Sequence, residues 1–146
     1  MKNKTISIFL SLMLLFPTLV MAESQSDFAI DVVLNGEIIQ FSPEASHFNG
    51  NTMVPLKELF GIYGATVDWD SNTQTVTAVK DTKKIVLMLD SRVAYINDKE
   101  YMLIQSPFLI DNHMVVNLRF ISESLGAKVS YNKEPKPTVY ISWNQS

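Results

Sequence analysis

A few side chains carry whatever chemistry this sequence could support. Asp68 and Asp70 bracket Trp69. Alternation along an extended strand puts both carboxylates on one face and the indole on the other. Such a pair can act as acid and base in glycoside hydrolysis. With Asn72 the two acids also supply oxygens of the kind calcium takes, but the stretch lacks the glycine and closing glutamate of an EF-hand loop. A solvated strand face beside a turn accounts for both acids more simply. His47 and His113 are the two histidines. They are read as turn residues ahead of two helices, without the close pairing that gives a zinc or copper site two or three converging nitrogens. No Gly-x-Ser-x-Gly elbow occurs. The chain has no cysteine, hence no thiolate nucleophile, disulfide or cysteine zinc site. The expectation is no catalytic residue, no metal and no cofactor.

Binding chemistry is better represented. Trp69, Tyr131, Tyr140 and Trp143 lie on predicted strands. Sugar rings stack on such side chains, and aromatics anchor protein interfaces. Trp69 and Tyr131 hold equivalent places in two similar halves, which favours a core position between helix and sheet. Trp143, near the chain end, reads as the freer ring. Lys57 and Arg119 are also equivalent, each beside the apolar stripe of a predicted helix. Their stems should pack and their heads should pair with a carboxylate such as Asp70. Trp69, Tyr131, Trp143, Lys57 and Arg119 form the candidate ligand-binding set.

The elements that must position these residues repeat. An offset of 62 places Leu34-Asn35-Gly36 on Ile96-Asn97-Asp98, Val54 on Val116, Leu56 on Leu118, Gly64-Ala65 on Gly126-Ala127, and Trp69 on Tyr131. One inserted residue near Glu134–Pro137 then brings Val76 onto Val139. Each half begins with a hairpin. Ile30–Leu34 and Ile38–Phe41 flank Asn35-Gly36, a pair that tolerates positive φ at both positions. Arg92–Ile96 and Tyr101–Ile104 flank residues 97–100. A helix follows. Leu56, Leu59, Phe60 and Tyr63 fall on one face after Pro55, and Gly64 ends it. Asn117 caps the second, with Leu118, Ile121 and Leu125 buried and Gly126 at its end. A second hairpin closes each half: Ala65–Trp69 with Thr75–Lys80, and Val129–Tyr131 with Thr138–Trp143. Lys84–Leu89 adds a linking strand. The predicted fold class is α+β: an antiparallel β-meander packed with two short helices, built from two pseudo-repeats at about 31–80 and 93–143.

The N-terminus predicts the compartment. Lys2 and Lys4 precede an apolar run from Ile6 to Phe16, Pro17 breaks it, and Val20-Met21-Ala22 offers a cleavage site. That order marks 1–22 as a signal peptide, with 23–28 a short linker and 29–146 the domain. The run is shorter than the ~20 apolar residues of a spanning helix, so no membrane anchor is expected after cleavage. Without Lys2 and Lys4 the mature chain holds 10 basic and 15 acidic residues, a net charge of −5. Nucleic acid and anionic lipid are therefore poor partners. A secreted, extracytoplasmic protein is expected.

The segments Asn49–Lys57, Gly64–Asp70 and Leu118–Gly126 together resemble the copper amine oxidase N-terminal-like domain, also called a stalk domain. That family shows a Val-Pro-Leu-Arg unit followed by Leu-Gly-Ala-x-Val-x-Trp-Asp, commonly in tandem, in exported proteins of Gram-positive bacteria. Here Lys57 stands for the arginine of the first unit, and Val116-Asn117 and Tyr131-Asn132 replace Val-Pro and Trp-Asp in the second. The resemblance covers about residues 29–143. It implies an appendage remote from the oxidase core, whose copper ligands and quinone-forming tyrosine belong to another domain. The expected function is a non-catalytic binding or structural module at the cell surface or in the medium. Its partner would be cell-wall polysaccharide or an exported protein. The alternative is a secreted inhibitor or regulator of an exported enzyme, presenting the loops Phe48–Thr52 and Phe108–His113. A glycan hydrolase using Asp68 and Asp70 comes third.

Overall fold

The computed structural model describes residues 29–144; residues 1–28, expected above to be a signal peptide and linker, lie outside them. The chain runs β1 (Asp31–Leu34), β2 (Glu37–Ile39), β3 (Ser46–Phe48), β4 (Asn51–Pro55), α1 (Leu56–Ile62), β5 (Thr66–Asp70), β6 (Thr75–Lys80), β7 (Lys83–Met88), β8 (Val93–Ile96), β9 (Lys99–Met102), β10 (Phe108–Ile110), β11 (His113–Asn117), α2 (Leu118–Ser124), β12 (Lys128–Asn132) and β13 (Thr138–Ser142). This is the expected α+β class, mostly antiparallel.

The meander holds only for β5 to β9, five strands paired in chain order. Elsewhere the pairing is long-range. One sheet runs β12-β13-β1-β2, with β13 parallel to β1 from Asp31↔Thr138 to Leu34↔Ile141. Another runs β10-β11-β4-β3, with Val54 opposite Val116 at its centre. The first and last hairpins thus share a sheet, because burying Val32, Val139 and Ile141 together outweighs keeping neighbours in sequence adjacent.

Turn chemistry set the hairpins. Asn35-Gly36 has φ of 49° and 89°, and Asn97-Asp98 has 48° and 64°, the left-handed pair of a two-residue type I′ turn. Asp98 takes the place of glycine, so β9 starts at Lys99 rather than Tyr101. Two further hairpins correct the reading of residues 48–52 and 108–113 as loops. Asn49-Gly50 turns β3 into β4, and Asp111-Asn112 turns β10 into β11. His47 and His113 accordingly sit on strands, not in turns.

Both helices have seven residues. Leu56, Leu59, Phe60 and Tyr63 are buried as the spacing predicts. Pro55 is the N-cap and last residue of β4, not the first helical residue. Each helix closes in a Schellman motif: Ala65 N–H donates to Phe60 O at 3.0 Å, and Ala127 N–H to Ser122 O at 2.9 Å. The two buried stripes meet β-strand residues Val32, Val76, Ile85, Leu87 and Val139 in one core.

That core holds two hydroxyls, on Tyr63 and Ser122, which are neighbours without a well-formed hydrogen bond. An unsatisfied buried polar group costs about 1–3 kcal/mol. Replacing Tyr63→Phe and Ser122→Ala together should raise stability by about 1 kcal/mol or more, read from urea unfolding; a loss would refute it. Burial also pushes the Tyr63 phenol above its usual 10.0. The native state then holds that proton more tightly than the unfolded chain. Its contribution is full below pH 10 and declines as pH rises further, a decline that Tyr63→Phe should remove.

Candidate ligand-binding cleft

An open cleft of about 650 Å³ lies over the first turn of α2. Its walls come from the β3–β4 hairpin, the end of β9, α2 and β12. Asn117 joins two of them. Its Oδ1 accepts from Phe120 N–H at 2.9 Å, capping α2, and its Nδ2 donates to Asn51 Oδ1 at 3.0 Å. The hairpin is thereby held against the helix start.

Arg119 leaves the same turn. Its Nη1 donates to Val129 O at 2.7 Å and to Glu123 Oε1 at 3.0 Å. Both ionic side chains are half-exposed, so the pair adds little to stability. It does hold a planar guanidinium at the cleft wall. Tyr131 stands opposite Val139 on the inward side of its sheet, but β12 is an outer strand. Its ring is 44% exposed and lies nearly parallel to His47 with centroids 6.1 Å apart. Tyr101 and Phe120 meet edge to face at 6.3 Å. Leu103, Leu118 and Val139 supply buried lining.

Of the five candidate residues, the structure gathers Tyr131 and Arg119 here. Arg119 pairs with Glu123, not with Asp70. Trp69 shares the inward row of Val76, Leu87 and Ala94. It ends that row on outer strand β5 and is also 44% exposed. The expectation of core positions for Trp69 and Tyr131 is therefore corrected: the face is inward, but an edge strand has no neighbour to cover a large ring. Trp143 is corrected in the opposite sense. It packs edge to face on Tyr63 at 4.8 Å. Its backbone N–H donates to Asn35 Oδ1 at 3.0 Å, and its carbonyl accepts from Asn35 Nδ2 at 2.7 Å. Lys57 is exposed and takes part in none of the ion pairs among the described residues.

Asp68 and Asp70 face outward together, away from the cleft. Asp70 Oδ1 accepts from the backbone N–H of Asn72 at 2.9 Å and of Thr73 at 3.4 Å. The Asn72 N–H first, then the Thr73 side chain and backbone, hold its carboxyl below the usual 3.8. Asp70 is thus a turn cap. Among the described residues no three His, Cys, Asp or Glu side chains gather as metal ligands. No helix among them is long and apolar enough to cross a membrane.

Sequence reasoning missed His47, Asn51, Tyr101, Phe120 and Glu123 as cleft residues. The Arg119–Glu123 spacing of four was a readable signal. Tyr101 had none, since it reaches the cleft only through the sheet that carries β9.

The fold and the cleft define a small α+β domain whose ring-lined cleft holds a single carboxylate, Glu123. Residues 33–141 match the family described as the copper amine oxidase N-terminal domain, and the chain belongs to that family. This domain is non-catalytic in copper amine oxidases. A comparison with curated proteins finds no match.

Proposed function

We propose that this protein is an exported, non-catalytic module that holds cell-wall polysaccharide in the cleft over α2. The observation that carries the reading is the Tyr131 ring, half-exposed beside a guanidinium fixed by Val129 and Glu123. The C–H face of a pyranose stacks on such a ring, while planar Arg, Glu and Asn side chains suit its hydroxyls. The cleft's one acid is tied to Arg119, whereas glycoside hydrolysis wants two carboxylates across the bond. Export rests on the charged, apolar, small-residue order of residues 1–22.

The domain also reads as two pseudo-repeats. β1, β2, β3, β4, α1 and β5 begin 62 residues before β8, β9, β10, β11, α2 and β12, and β6 begins 63 before β13. Val54 pairs with its own equivalent, Val116.

Tyr131→Ala should cut retention on purified cell wall at least tenfold, about 1.4 kcal/mol, with the thermal midpoint little changed. Retention equal to wild type would sink the reading. A protein partner is the second reading. Phe48 and Phe108 pack at 4.9 Å on adjacent hairpins, beside Leu109, which is 51% exposed. If exported proteins displace the module from the wall while Tyr131→Ala changes nothing, these hairpins, and an inhibitor or regulator role, take its place.

A further inference from the structure

We infer that the domain carries a second groove, on α1, for neutral or amino-bearing sugar units. This inference rests on the polysaccharide reading above. Moving back 62 residues from the α2 cleft turns Tyr101, Met102, Leu103 and Ile104 into Ile39, Gln40, Phe41 and Ser42, and Phe120 into Glu58. Those five residues, with Ile62, line a separate open groove of about 450 Å³. The physical origin is shared. β2 and β9 are each the outer strand of a sheet, so each helix stands beside an uncovered sheet edge.

The chemistry of the α1 groove differs in a way that selects the ligand. Ile39, Phe41 and Ile62 make an apolar floor. Ser42 N–H donates to Glu58 Oε2 at 3.1 Å and Oε1 at 3.4 Å, which fixes the carboxylate at the wall. Glu58 belongs to none of the ion pairs among the described residues. In the α2 cleft, by contrast, Arg119 offsets Glu123. An uncompensated, oriented carboxylate accepts hydroxyl or ammonium donors and repels acidic groups. Gln40, exposed at the rim, adds an amide for further hydroxyls. The α1 groove therefore takes neutral or amino sugars, whereas the charge-balanced α2 cleft admits acidic ones as well.

The test is calorimetric titration of the mature protein with soluble oligomers of N-acetylglucosamine, neutral fragments of wall-type glycan that both grooves admit. Wild type should bind two fragments per chain. Tyr131→Ala should bind one. Gln40→Trp, which fills the α1 groove from an exposed position, should also bind one, and the double variant none. In the Tyr131→Ala background, Glu58→Gln keeps an acceptor for Ser42 and should weaken the remaining site at least tenfold. One fragment per wild-type chain, lost in Tyr131→Ala and untouched by Gln40→Trp, overturns the second groove while leaving the α2 cleft standing. No binding by folded wild type overturns both.

Discussion

Replacing Phe60 with alanine should lower stability by about 3–5 kcal/mol and the thermal midpoint by roughly 12–20 °C. Phe60 is fully buried on α1. It packs in the core shared by both helices and the sheets. A seven-residue helix has little stability of its own, so α1 depends on that contact to stay folded. The truncation removes the ring and leaves a cavity under a short helix. Domains of this size have only ~5–15 kcal/mol in total, so the variant should sit near the edge of folding at 37 °C. Urea unfolding reads the effect directly; a loss under 1 kcal/mol would show that the core collapses around the gap.

A larger effect is expected from dividing the chain. A fragment of residues 29–90 should not fold, although it contains a complete helix and the seven strands β1 to β7. Each of the three sheets draws strands from both sides of residue 90. Without β13, β1 loses its parallel partner and Val32 its cover. Without β11, β4 loses the ladder through Val54↔Val116. Isolated hairpins are marginal in water. Circular dichroism of the fragment should show no cooperative melting, and adding residues 91–144 should restore it. A cooperative transition in the fragment alone would mean that each half is an independent unit.

The two experiments probe different parts of what was legible. The α1 face was readable because Leu56, Leu59, Phe60 and Tyr63 follow the helical period, and all four are buried. The Asn35-Gly36 and Asn49-Gly50 turns were equally local signals, although only the first was used. The cleft was half legible. Tyr131 and Arg119 were picked for residue type and equivalence. Tyr101, which completes the wall with Phe120, gave no sign of its role.

The amino-acid order by itself determined the local pieces: the helical stripes, the Asn117 cap, the left-handed turns and the α+β class. Each of these depends on residues within a few positions of one another, through period, φ preference or a capping bond. Tertiary structure alone decided which hairpins share a sheet, and with that the exposure of the aromatics. Trp69 and Tyr131 point inward yet stay open because β5 and β12 are outer strands. Trp143 is pinned by Asn35, 108 residues away. Sheet neighbours are chosen by how much apolar surface distant segments bury together, and no local pattern encodes that sum.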